Sequence, residues 1–221
     1  MASFTVIMLG AVGVGKGTQA KKLVDSLKVP HISTGDILRA EVQAGTELGL
    51  KAKEIMDRGD LVSDDIIIDM VRNRLNLNDA GRGAIFDGFP RTIPQAEALG
   101  ALLKELGLPD PLVVSIELPD DVIIERLSSR RVCINCGATF NLKTDEQLIA
   151  NHKCPTGSPN VIHRDDDQPD TIKRRLEVYR EKTAPLINYY KKQGALRSVS
   201  GEGSQDEVFA RVLIALDPGL I

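Results

Sequence analysis

The sequence predicts an α/β protein in which helices flank a parallel sheet, and three observations carry that prediction. FTVIML at residues 4–9 and LVVSIEL at 112–118 are short, almost continuously apolar runs, as strands buried on both faces require. Strand-like runs alternate with helical stretches, the pattern of a parallel sheet with crossover helices. The first run passes straight into GAVGVGKGT at residues 10–18, a glycine-rich turn that opens a helix. With 221 residues the chain can bury one sizeable core and carry small insertions.

The elements follow in order. A strand is expected at 4–9, a helix at 16–27, and further strands at 83–86 and 111–117. Residues 33–62 are mostly helical but interrupted by Gly45, Gly49 and Gly59, which predicts a small helical insertion. Residues 129–167 carry CINCGATF, a polar stretch and HKCPTGSPN, which predict a second, loop-rich or small β insertion. A helix over 168–190 has Asp170 or Thr171 as its cap and Leu176, Tyr179 and Leu186 on its buried face. The core is then 1–32, 63–128 and 168–221.

Composition narrows the function classes. A 42% hydrophobic, 27% charged chain is an ordinary globular one, and its net charge of −3 gives no overall attraction to nucleic acid or an anionic membrane. Any anion must be gathered by a local cluster of Lys and Arg. No apolar run approaches the ~18 residues of a membrane span, so a cytoplasmic location is expected. Three cysteines are an odd number, which argues against a disulfide framework and leaves thiols for packing or metal.

GAVGVGKGT matches the phosphate-loop pattern G-x-x-x-x-G-K, with Gly10 and Gly15 at the required spacing. Glycines let backbone N–H groups turn inward around a phosphate, and the following helix adds its dipole. Gly13, Val14, Gly15, Lys16, Gly17 and Thr18 form the expected triphosphate cradle, with Lys16 as a point charge for the outer phosphates. Gly17 stands where the general pattern has a Ser or Thr to ligate Mg²⁺, and Thr18 comes one position late. A second anchor is GRGAIFDGFPR: Asp87 ends a short strand, where a carboxylate organises Mg²⁺ and its waters, and Arg91 follows as a cation for a second phosphate.

With GAVGVGKGT, STGDILR, DGFPRT, RRVC and RDDD in this order, the chain resembles the adenylate kinases over nearly its whole length. The resemblance implies a phosphate-loop core with a helical monophosphate-binding insertion at 33–62 and a lid at 129–167. It implies reversible phosphoryl transfer from ATP to AMP, giving two ADP, with Mg²⁺, by a monomer. It assigns Thr34, Arg39, Asp60, Leu61, Val62, Gly88, Phe89, Pro90, Arg91 and Gln95 to AMP, Gln95 reading the base. Arg126, Arg130, Arg164 and Arg175 match phosphate-binding arginines, Arg164 and Arg175 reaching AMP as well, and the Gly203 backbone meets the ATP adenine. Lys16, Asp87, Arg91 and these four arginines would carry the chemistry. Arg58, Arg82, Arg174 and Arg197 read as solvated surface charge.

Cys133 and Cys136 form C-x-x-C, with Cys154 further on, a spacing that suits structural Zn²⁺ in the lid. The fourth position that a complete quartet would use falls at Gly157, leaving His152, or Asp145 with a water, as substitutes. Packing of three free thiols is the other reading. A kinase for UMP or CMP, and a GTPase-type switch, are the competing functions; the chain has no N-K-x-D guanine-reading motif.

Overall fold

The computed structural model describes residues 3–216. Its central sheet has five parallel strands: β1 (Val6–Leu9), β2 (His31–Ser33), β3 (Ile85–Asp87), β4 (Leu112–Glu117) and β8 (Leu196–Ser200), ordered β2-β3-β1-β4-β8. Strand periodicity sends Ile7, Leu9, Phe86 and Val113 to one face and Val6, Met8, Ile85, Val114 and Ile116 to the other. Each set belongs to its own apolar cluster, so helices cover both faces. On the first lie α2 (Thr34–Ala44), α3 (Glu47–Asp57), α4 (Asp64–Leu75), α5 (Ile93–Glu105) and α9 (Pro185–Lys192). On the second lie α1 (Lys16–Leu27), α6 (Asp120–Ser129), α8 (Pro169–Val178) and α10 (Gln205–Leu216).

Between α6 and α8 the chain forms a separate antiparallel sheet of β5 (Arg130–Cys133), β6 (Thr139–Asn141) and β7 (Val161–Ile162), ordered β6-β5-β7. The short α7 (Glu146–Ala150) lies between β6 and β7. Lys21 Nζ on α1 donates to the Gly137 carbonyl at 2.7 Å, tying this sheet to the core.

Several expectations need correction. β1 starts at Val6 and β3 runs to Asp87. β2 and β8 went unread: the first has only three residues, and the second, LRSVS, is a largely exposed edge without an apolar run. The helix expected over 168–190 is two helices, because Pro185 has no N–H and opens α9. A π-helical turn, Tyr179–Thr183, joins them, with the Ala184 N–H reaching back to the Tyr179 carbonyl at 2.8 Å. Neither Asp170 nor Thr171 caps α8; Gln168 occupies that position without a side-chain bond.

Gly49 does not interrupt a helix but lies inside α3, where Thr46 caps the Gly49 N–H at 3.0 Å. A Cβ there would stand 2.1 Å from the Glu41 carbonyl oxygen, so the glycine sets how closely α3 approaches α2. Gly49→Ala is therefore expected to destabilise by about 2 kcal/mol and lower Tm by about 6 °C in a thermal scan. An unchanged Tm would contradict this packing.

Candidate active site

At the carboxyl end of β1 the chain turns back into α1. Gly15 caps that helix with φ 104°, a left-handed conformation that suits glycine. Lys16 folds across the loop, its Nζ donating to the carbonyls of Gly10 (2.9 Å) and Ala11 (2.7 Å). Burial pushes its pKa down to about 8; Asp87 opposes that fall, and Arg91, Arg175 and Arg130 add to it. Parallel registers bring Asp87 beside Met8 on β1 and Ser33 on β2, at the same edge. Burial pushes the Asp87 carboxyl up, but His31, with Nε2 3.6 Å away, and Lys16 outweigh it and hold the group below the usual carboxylate range.

Gly17 now has a structural reason. A Cβ there would come within 3.0 Å of Asp87 Oδ2, so the missing side chain admits the carboxylate to the helix N-terminus. An ionised carboxylate beside a phosphate loop is a hard oxygen donor that fits Mg²⁺, directly or through water.

Arginines converge on this edge from separate elements. Arg130 makes a bidentate pair with Asp167 (2.7 and 2.6 Å), and Asp167 is fully buried. Arg175 Nη1 lies 3.1 Å from both Asp167 Oδ1 and Asp166 Oδ2 and donates to the Asp166 carbonyl at 2.8 Å. Arg126 Nη2 donates to the Gly201 carbonyl at 3.2 Å, and Arg91 Nε donates to the Gly88 carbonyl at 2.8 Å. Burial drives the pKa of Arg91 to about 10, with Arg175 adding to the fall. Burial does the same to Arg164, also at about 10, with Arg39 and Arg130 contributing. Crowded, partly desolvated guanidiniums that repel one another gain most from an anion between them.

The other wall is built by β2, α2 and the start of α5. The Thr34 hydroxyl donates to the Gly88 carbonyl at 2.8 Å. Arg39 pairs with Asp36 at 2.6 Å one turn earlier on α2. Gln95 is buried behind them. Lys16, Thr34, Arg39, Asp87, Arg91 and Gln95 face one cleft of about 1070 Å³. Arg126, Arg130, Arg164 and Arg175 face it too, as do Gly13 to Thr18, Asp60 to Val62, Gly88, Pro90 and Gly203. Ligand pockets usually hold about 300–1,000 Å³, so this one is at the large end for a ligand site.

Two expected residues behave differently. Phe89 is in the core, its ring centroid 6.1 Å from that of Phe86, and does not line the cleft. The Asp60 carboxylate accepts from Arg174 Nε at 2.9 Å, so Arg174 is not merely solvated charge. Arg82 is half-buried. Asp166 and Asp167 were missed as site residues, although the run RDDD signalled them: guanidiniums at low exposure need carboxylate partners.

At the end of β5, the ligand atoms of Cys133 and of Cys136, His152 and Cys154 from neighbouring loops all lie within 4.8 Å of one another. Cys133 Sγ is 3.8 Å from Cys154 Sγ, and Cys136 Sγ is 3.3 Å from His152 Nε2. Tetrahedral Zn²⁺ with Zn–S of about 2.3 Å separates two sulfurs by about 3.8 Å. Burial raises the Cys133 pKa, but N–H groups of Asn160, Cys136 and Asn135 aimed at the sulfur bring it to about 6, favouring thiolate. The four side chains fit Zn²⁺. Asp145 is used elsewhere, accepting from the Asn141 N–H at 2.8 Å, and His152 occupies the fourth place.

A family model described as adenylate kinase matches residues 8–195. The chain belongs to the adenylate kinase family. Relatives named adenylate kinase agree over nearly full length. That of Thermodesulfovibrio yellowstonii is 48% identical across 96% of this chain and 98% of its own. That of Methanosarcina barkeri is 48% identical across 96% and 97%. That of Agathobacter rectalis is 47% identical across 94% and 97%.

The depressed Lys16 pKa has a measurable consequence. A polyphosphate in the loop raises that pKa, so above about pH 8 binding takes up a proton and affinity falls as pH rises through this value. Calorimetry with tripolyphosphate at about pH 8.5 in two buffers of different ionisation enthalpy is expected to show more proton uptake by the wild type than by Lys16→Met. Equal uptake would contradict the assignment.

Proposed function

We propose that this chain transfers the terminal phosphoryl group of ATP to AMP, reversibly giving two ADP, with Mg²⁺, and so balances the adenine nucleotides. The supporting observation is one cleft lined by the phosphate loop, by Thr34, Arg39 and Gln95, and by the guanidiniums of Arg91, Arg126, Arg130, Arg164 and Arg175.

In this reading Gly13 to Thr18, with Arg126 and the Gly203 backbone, hold ATP. Thr34, Arg39, Asp60 to Val62, Gly88, Pro90, Arg91 and Gln95 hold AMP, Asp60 through its backbone because Arg174 occupies its carboxylate. Phe89 acts from the core by fixing the backbone of DGFPR. Residues 33–62 are the AMP-binding insertion and 129–167 the lid, on a core of 1–32, 63–128 and 168–221. No side-chain base is required, because the AMP phosphate is already an anionic nucleophile. The protein's work is to hold donor and acceptor in line and cancel charge on the transferred group, which Lys16, Arg91, Arg130, Arg164 and Arg175 do from several sides. Asp87 would hold Mg²⁺, directly or through water, and the ion would supply neutralisation of charge on the ATP phosphates. Closing the lid excludes water that would otherwise accept the phosphoryl group. Zn²⁺ on Cys133, Cys136, His152 and Cys154 pins a lid too small to build its own core.

The enzyme works as a monomer in the cytoplasm. One chain supplies every group the reaction uses, and among the described residues no helix is long and apolar enough to cross a membrane. The acceptor is AMP rather than UMP or CMP by similarity to the family, in which the residues matching Thr34 and Gln95 serve adenine, and turnover of the three acceptors compares them directly.

A coupled assay is expected to show ADP formation that needs ATP, AMP and Mg²⁺ together, with diadenosine pentaphosphate competing against both nucleotides; binding of one nucleotide at a time would overturn the proposal. Arg91→Ala is expected to lower kcat/KM by roughly 10³-fold while the thermal midpoint stays near wild type. Protein purified without a histidine tag is expected to carry about one zinc per chain and to lose thermal stability on chelation. A zinc content near zero removes that part.

A further inference from the structure

The side-chain amide of Gln95 is held at both ends. Its Oε1 accepts from the backbone N–H of Arg91 at 2.7 Å, and its Nε2 donates to Asp64 Oδ1 at 2.7 Å. The second oxygen of Asp64 accepts from the Thr92 hydroxyl at 3.0 Å, and Thr92 in turn caps α5 through the Gln95 N–H at 3.3 Å. Asp64, in the first turn of α4, was singled out by no motif.

The polarity of these partners decides the orientation. A backbone N–H can only donate and a carboxylate can only accept, so the oxygen of the amide must face Arg91 and its nitrogen Asp64. Turned by half a revolution, the amide would set donor against donor and acceptor against acceptor, losing both bonds at a site that is 2% exposed. One N–H of Nε2 and one lone pair of Oε1 remain for a ligand.

We propose that Asp64 is a specificity-determining positioning residue: by gripping Gln95 Nε2 it locks the amide in the sense that reads a 6-aminopurine and refuses a 6-oxopurine. The inference rests on the reading of Gln95 as the residue that meets the AMP base. Adenine offers an acceptor at N1 and a donor at its 6-amino group. Hypoxanthine offers the reverse, a donor at N1 and an acceptor at its 6-oxo group. A freely turning amide serves either edge, whereas a clamped one serves a single edge and leaves the other ligand with opposed dipoles.

The test compares AMP with IMP as acceptor at saturating MgATP in wild type, Asp64→Ala, Gln95→Ala and the double variant. Asp64→Ala is expected to raise KM for AMP and narrow the preference for AMP over IMP, each by roughly five- to tenfold. KM for ATP is expected to stay within about twofold. In the Gln95→Ala background the same change should have no further effect on the preference, because its target is gone. Asp64→Asn, whose amide oxygen still accepts, should keep most of the discrimination. Should Asp64→Ala fail to fold, Asp64→Leu keeps the volume and carries the same expectation. A folded Asp64→Ala or Asp64→Leu with the wild-type preference, or an equal loss with Gln95 absent, overturns the role of Asp64 alone. If Gln95→Ala leaves KM for AMP and the preference untouched, the reading of Gln95 itself falls, and this proposal with it.

Discussion

Positive charge held close together without collapsing or flying apart is the constraint on which the rest of this structure depends. Arg91, Arg130, Arg164 and Arg175 come from separate stretches of chain yet face one cleft, and burial, with repulsion between them adding to it, lowers the pKa values of Arg91 and Arg164. Asp166 and Asp167 make the crowding tolerable. Two carboxylates and a carbonyl meet Arg175 at its own position, although burial still holds its pKa below the usual arginine value. What is left uncancelled points into the cleft, where phosphates supply the missing negative charge. Folding energy and binding energy are thereby separated: the carboxylates hold the arginines in place, and the ligand completes the neutralisation.

The parallel sheet explains why this is possible. Every strand of the core presents its carboxyl end to the same edge, so the phosphate loop after β1, Thr34 after β2 and Asp87 at the end of β3 become neighbours despite their separation in sequence. The apolar clusters on both faces leave little room for β1 or β3 to slide relative to each other. Precision at the edge is thus inherited from packing in the middle.

Much of this was legible in the sequence, for identifiable reasons. The phosphate loop and the strand at Leu112–Glu117 announce themselves through glycine spacing and an apolar run. Lys16, Asp87 and Arg91 lie within or beside motifs whose chemistry requires them. The unread parts have a different physics. β2 and β8 are too short or too exposed to carry a hydrophobic signal, and the break at Tyr179–Thr183 depends on Pro185 rather than on periodicity. Phe89 sits inside a phosphate-binding motif yet packs in the core, because local sequence does not say which way a side chain turns. Asp64, Asp166 and Asp167 act through other residues across long separations. Between His152 and Asp145, the two substitutes the sequence offered, only the fold could choose, by bringing His152 beside three sulfurs.

The pairing of Arg130 with Asp167 has a mechanical meaning. Arg130 is the first residue of β5, and Asp167 ends the turn that returns the chain to α8, so this one bond closes the excursion at its root. The antiparallel sheet is thus anchored at its root by this pair and further out by Lys21 at the Gly137 carbonyl and Lys143 at Glu125. Whatever the loops beyond it do, the Arg130 guanidinium is aimed from the point where the chain leaves the core and returns to it.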